Sequence, residues 1–153
     1  MATKTLIKSY KVGLLLEALR ESTPEIITSA LISRDGILLA SEPEKMENRN
    51  LFSLMIASLL SLGQGVSEGM DLGKVEQVMI KGREGYVIAV SVQGKGILSC
   101  LVERQVKLGG VLLNMKRTSE ELGEFIFPIH YGTAMLNPQI LENFEQQSSN
   151  PAD

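Results

Sequence analysis

The chain has 153 residues, enough for one domain with a proper core, and its 44% apolar and 22% charged residues are ordinary globular values. Asp and Glu number 18 against 15 Lys and Arg, a net charge of −3, and tryptophan is absent. There is no basic excess to neutralise phosphates and little aromatic surface to stack bases, so nucleic acid is not expected as a partner. A single cysteine, Cys100, excludes an internal disulfide and fits a reducing compartment. Residues 1–21 lack a secretory pattern, so the expected location is cytoplasmic.

Residues 6–22 have helical periodicity. Val12, Leu15, Leu16 and Leu19 fall on one face, and the run stops before Pro24. "EIITSALIS" (25–33) is β-branched and predicts a strand. "RDG" (34–36) is a hairpin turn with an Asp-Gly pair, and "ILLAS" (37–41) is the returning strand. A polar loop over 42–50 follows, in which Asn48 or Asn50 can cap the next helix.

That helix spans residues 50–68, and residues 51–67 carry no formal charge. The bare run is at the lower limit for a membrane span, and its serines, glutamine and glycines argue against one. Gly69 and Gly73 break the helix. Strand-like runs over 74–81, 85–92 and 97–103 are joined by the short glycine-bearing turns "GRE" and "QGKG", a meander of hairpins. Residues 104–125 read as a third helix, with Leu108, Val111, Leu112, Met115 and Leu122 at helical spacing. Asn137 and Pro138 are a good N-cap and first-turn pair for a short helix over 138–147, with a disordered tail beyond it.

The expected fold class is α+β: one five-stranded antiparallel sheet with helices on both faces. The expected domain is 1–126, with a C-terminal extension over 127–153.

The bare helix carries the functional argument. At about 100° per residue, Leu51, Phe52, Met55, Ile56, Leu59, Leu62 and Val66 share one broad face, which is expected to lie on the sheet. The opposite face holds Ser53, Ala57, Ser61, Gln64 and Gly65, flanked by Leu54, Ser58 and Leu60. A helix facing water normally shows Lys and Glu there. Small uncharged residues instead let another backbone approach closely. A protein–protein interface is therefore favoured over a helix buried on both sides in a monomer.

"LISRDGILLASE" (31–42), the serine-rich helix after it, the meander and "ERQVKLGGVLLNMKRTSEEL" (103–122) together resemble the Roadblock/LC7 family over roughly residues 5–126. The resemblance implies a profilin-like α-β-β-α-β-β-β-α order. It also implies a homo- or heterodimer whose two sheets join at an edge strand and whose central helices pair. Family members include dynein light chains, endosomal scaffold subunits and bacterial MglB-type partners of small Ras-like GTPases. The edge strand maps onto residues 74–81, with Val75, Glu76, Gln77, Val78, Met79 and Ile80 on the dimer seam. The docking surface of the MglB-type members maps onto Ala57, Ser58, Ser61, Gln64 and Gly65. Ser53, Leu54 and Leu60 on the same face complete the partner-binding set.

Signals for catalysis are thin. Cys100 lies inside a strand between Leu98 and Val102 and reads as inert core. His130 has no second His or Cys at ligand spacing, so no metal and no cofactor is expected. Asp35 serves its turn, and Arg83 in its turn is a weak arginine-finger signal. "QGKG" (93–96) lacks the spacing and the hydroxyl residue of a phosphate-binding loop and reads as a hairpin turn. "LGG" (108–110) is expected to mark close packing of the third helix. The expectation is a non-catalytic homodimer that binds and regulates or positions a small Ras-like GTPase. The alternatives are a small-ligand sensor, which would need convergent polar groups of which the strands show few, and a purely structural scaffold subunit.

Overall fold

The computed structural model of the chain describes residues 3–130. Its elements run β1 (Thr3–Ile7), α1 (Ser9–Ser22), β2 (Ile26–Ser33), β3 (Leu38–Glu42), α2 (Arg49–Gly69), β4 (Gln77–Lys81), β5 (Gly85–Val92), β6 (Gly96–Glu103) and α3 (Leu108–Leu122). A 3₁₀ turn at Gly123–Phe125 then leads into β7 (Ile126–His130). Strands β2 to β6 form the expected five-stranded antiparallel sheet, in the order β3-β2-β6-β5-β4. α1 and α3 cover one face and α2 the other, so the fold is α+β as expected.

Alternation along the strands builds two unequal cores, because successive side chains point to opposite faces. Val12, Leu16 and Leu19 of α1 and Val111, Met115 and Leu122 of α3 pack on Ile88, Leu98, Cys100 and Val102. The cluster beneath α2 is smaller: Ala30, Ile32, Ala89 and Ile97 under Ile56, with Phe52, Ala57, Leu60 and Val87 against it. Ala30 and Ala89 flank Ser99 across the three middle strands. That row of small residues gives α2 a shallow floor on which its backbone sits low.

The β2–β3 turn forms as read. Ser33 Oγ donates to Asp35 Oδ1 at 2.6 Å and accepts the Ile37 amide at 3.0 Å. Gly36 has φ of +91°, a conformation side chains resist. The "QGKG" turn has a structural use as well. Lys95 Nζ donates to the Gly123 carbonyl at 3.0 Å and Gln93 Nε2 to the Glu120 carbonyl at 3.4 Å. Both satisfy carbonyls at the C-terminal end of α3, where a cation is also favoured by the helix dipole.

Several expectations need correction. Residues 6 and 7 belong to a strand, and the first helix starts at Ser9. β1 pairs with β7 at the far end of the described chain, with Thr3 opposite His130 and Ile7 opposite Ile126. Lys8 N–H donates to Phe125 C=O at the base of this ribbon. The pairing is non-local, and a helical pattern scanned in one window cannot reveal it. The third helix covers Leu108–Leu122 rather than 104–125. Gly109 and Gly110 have open space where a Cβ would project, so they mark no close packing. Asn48 occupies the N-cap position of α2, but its φ is +52° and its side chain makes no cap hydrogen bond; its carbonyl alone accepts the Phe52 amide. The helix expected over 138–147 and the tail beyond it lie outside the described residues.

Candidate interaction surface

α2 is seated on the sheet by a face turned about 110° from the one expected, so that it takes in parts of both the expected face and the opposite one. Ser53 (1% exposed), Ile56 and Ser67 are its buried residues. Ala57 and Leu60 are half-buried against the lower cluster. Gly63 and Gln64 are half-buried too. Leu51 (59%), Met55 (55%), Leu62 (71%) and Val66 (65%), expected against the sheet, are exposed. Phe52 and Leu59 are half-buried at the margin, and only Ile56 of that set is buried as expected. The floor beneath α2 has Ala30, Ser99 and Ala89 in one row, and Phe52, Ile56, Ala57 and Leu60 pack on the cluster there, while Leu51, Met55, Leu62 and Val66 turn away from it.

The partner-binding set therefore divides. Ser53, Ala57, Leu60 and Gln64 face the sheet and are corrected as outward-facing residues. Leu54, Ser58, Ser61 and Gly65 are exposed. Ser58 Oγ is satisfied within the helix by the Leu54 carbonyl at 2.9 Å, and Ser53 Oγ by the Asn50 carbonyl at 3.1 Å.

Two contacts orient the helix. A Cβ on Gly36 would lie 2.8 Å from Leu54 Cδ2 and 3.5 Å from Ala57 Cβ, so this flank of α2 abuts the β2–β3 turn. A Cβ on Gly63 would lie 2.8 Å from Val78 Cγ2, so the other flank abuts β4. At about 100° per residue, Leu54, Ser58, Ser61 and Gly65 lean toward the turn. Met55, Leu59, Leu62 and Val66 lean toward β4. The exposed face thus has a small-residue half on the turn side and a large apolar half on the β4 side.

β4 is one of the sheet's two edge strands, with β3 at the other side, and begins at Gln77, later than the expected 74. Val75 and Glu76 are a lead-in: Val75 N–H donates to Gln64 Oε1 at 2.9 Å, and Glu76 C=O accepts the Ser91 amide at 2.9 Å. Gln77, Met79 and Ile80 are exposed and Val78 is half-buried. Met70 and Leu72, in the connection from α2, are exposed as well. A large apolar surface therefore runs from α2 across the connection to the sheet edge.

The groups with chemical potential lie elsewhere. Cys100 is fully buried, and desolvation pushes its thiol pKa well above the ordinary range. Among the described residues no group of three or more His, Cys, Asp and Glu is placed to hold a metal ion. Arg83 is exposed in the β4–β5 turn. By length and composition alone α2 could cross a membrane, but its inner face is seated on the sheet.

The Roadblock/LC7 domain family model matches residues 12–102. An uncharacterised protein of Methanocaldococcus jannaschii is 29% identical over 100 residues, covering 65% of this chain and 87% of that protein. The fold is similar to the gliding protein MglB of Thermus thermophilus, with a TM-score of 0.70 at 20% identity, over 76% of this chain and 89% of that one. It is equally similar to a structure of MglB with a tetrameric arrangement, with a TM-score of 0.70 at 19% identity, over 76% and 88% of the two chains.

Proposed function

The chain belongs to the Roadblock/LC7 domain family, and we propose that it is a non-catalytic homodimeric module that binds and regulates or positions a small Ras-like GTPase. The observation that carries this reading is the continuity of the bare outer face of α2 with the unpaired edge of β4. An unpaired strand edge is normally covered, blunted or paired. Contiguous exposed apolar surface on this scale marks an interaction site. A second copy supplies both needs at once: its β4 pairs the edge, and its α2 covers Met55, Leu62 and Val66. Covering the exposed part of each such side chain is worth roughly 1 kcal/mol. The similarity to MglB in a tetrameric arrangement supports self-association.

The small-residue half of α2, with Leu54, Ser58, Ser61 and Gly65, stays outside such a pairing and is the proposed landing surface for the GTPase. The full chain should sediment at twice 16.7 kDa at micromolar concentration. Affinity capture of the tagged chain from its native host, followed by mass spectrometry, should recover a small Ras-like GTPase. Titration with that GTPase in GTP-analogue and GDP forms then tests direct binding. A monomer in sedimentation would overturn the dimer, and absence of any GTPase from the capture would overturn the partner.

A further inference from the structure

The outer edge of β4 has a fixed hydrogen-bonding parity. Glu76 C=O accepts the Ser91 amide at 2.9 Å, and Gly82 N–H donates to Gly85 C=O at 2.8 Å. Both fit the register that sets Val78 opposite Ala89 and Ile80 opposite Val87. In an antiparallel ladder, alternate residues turn both backbone polar groups toward the same neighbour. The even-numbered positions are thus spent on β5, and Gln77, Met79 and Lys81 aim their amides and carbonyls outward. Side chains obey the same parity. Val78 and Ile80 lie on the α2 face, because their partners Ala89 and Val87 belong to the cluster beneath α2. Met79 lies on the opposite face, beside Ile88 of the larger core.

Two copies joined antiparallel at this edge are related by a two-fold axis perpendicular to the sheet, which keeps both α2 helices on one face. Residues directly opposite across the seam must then share a face. Only registers centred on a residue satisfy this; those centred between residues do not. Centring on Val78 sets Ile80 against Glu76 and Met79 against Gln77. Centring on Ile80 sets Glu76 against Glu84, two like charges, and wastes Val78 on Gly82. Centring on Met79 sets Val78 against Ile80 twice on the α2 face, Met79 against itself, and Gln77 against Lys81. That register matches apolar with apolar on both faces and opposes no like charges, which is what stabilises cross-strand pairs.

We propose that a second copy of this chain pairs with β4 in the register that places Met79 on the two-fold axis. The inference rests on the dimer reading above and adds its register. Met79 and its counterpart form a hydrogen-bonded pair with Cα atoms about 5.5 Å apart, and Val78 and Ile80 a non-hydrogen-bonded pair about 4.5 Å apart. Both separations lie within the range a disulfide spans.

The test uses single-cysteine additions to the full chain: Met79→Cys, Val78→Cys and Ile80→Cys. The native Cys100 is buried and does not compete. After mild oxidation, Met79→Cys alone should run mostly as a covalent dimer on a non-reducing gel. Val78→Cys and Ile80→Cys should each stay uncrosslinked alone, yet give a disulfide heterodimer when mixed and allowed to exchange subunits. Crosslinking of Val78→Cys alone, with Met79→Cys unreacted, would move the axis to Val78 and overturn the register. No crosslink in any variant, with wild type and variants sedimenting as dimers, would place the seam elsewhere. A wild-type monomer would instead overturn the dimer reading itself, a result distinct from either.

Discussion

Gln64 Oε1 accepts the backbone N–H of Val75 at 2.9 Å, joining the middle of the bare helix to the residue that leads into the edge strand. The same side chain donates from Nε2 to Glu68 Oε1 at 2.8 Å. One turn on, Ser67 Oγ donates to the Gly73 carbonyl at 2.7 Å. The connection from α2 to β4 is thus tied back to α2 at two points. Gln64→Ala leaves the Val75 amide without its acceptor in a part-buried place, at a cost of about 1–2 kcal/mol. Denaturant melting should show that loss, and amide exchange should quicken at Val75 and along β4. Unchanged protection at Val75 would mean the bond is not held in solution.

Gly63 and Gly65 make a paired test of how α2 is seated. Replacing glycine by alanine inside a helix ordinarily stabilises by up to about 1 kcal/mol. Gly65 has open space around its Cβ direction, so Gly65→Ala should gain roughly that amount. A Cβ on Gly63 would meet Val78 Cγ2 at 2.8 Å and Val75 Cγ2 at 3.7 Å. Gly63→Ala should therefore lift α2 from β4 and cost roughly 1–3 kcal/mol, the usual range for overpacking. Chemical denaturation of both variants reads the difference, and equal effects of one sign would contradict the placement of the helix.

Ser99 offers a gain in stability. It lies buried between Ala30 and Ala89 beneath α2, and its Oγ has no hydrogen-bond partner. Burying a hydroxyl without a partner costs about 1–3 kcal/mol. Ser99→Ala removes that cost, keeps the floor small, and should raise the denaturation midpoint by an amount worth about 1 kcal/mol. A loss of stability would show that Ser99 finds a partner in solution.

The sheet was legible because its signals are local: an Asp-Gly turn at 35–36, short glycine turns, and β-branched runs between them. The bareness of α2 is legible for the same reason, since absence of charge needs no partner to be seen. Its orientation was not. Periodicity fixes which residues share a face but leaves open which face meets the sheet. The usual rule, large residues inward, assumes water outside. Here large residues lie on two sides of α2, Ile56 inward and Met55, Leu62 and Val66 outward, and the floor of Ala30, Ser99 and Ala89 that settles the choice exists only once three strands are in register. Periodicity alone sets Gln64 on the outward face, because its bond to Val75 spans a turn whose shape the sequence does not state. β1 and β7 escaped because each half of the ribbon is meaningful only beside the other.

The division of the exposed face makes the last prediction. Leu62 and Val66 lean toward β4 and belong to the proposed seam, whereas Ser58 and Ser61 lean toward the β2–β3 turn and belong to the proposed landing surface. Arginine at any of the four enters space that is open in the protomer, so each variant should fold and melt cooperatively. Ala57→Arg is the contrast: Ala57 packs against the cluster beneath α2, and that variant should fail to fold. Leu62→Arg with Val66→Arg should dissociate the dimer, because an unpaired charge at a buried seam costs about 2–5 kcal/mol. Ser58→Arg with Ser61→Arg should leave the dimer intact and weaken GTPase binding by at least tenfold. Sedimentation reads the first effect and a binding titration the second. If the serine pair splits the dimer, or the Leu62 and Val66 pair leaves it intact, the two halves of α2 do not have the separate roles assigned to them.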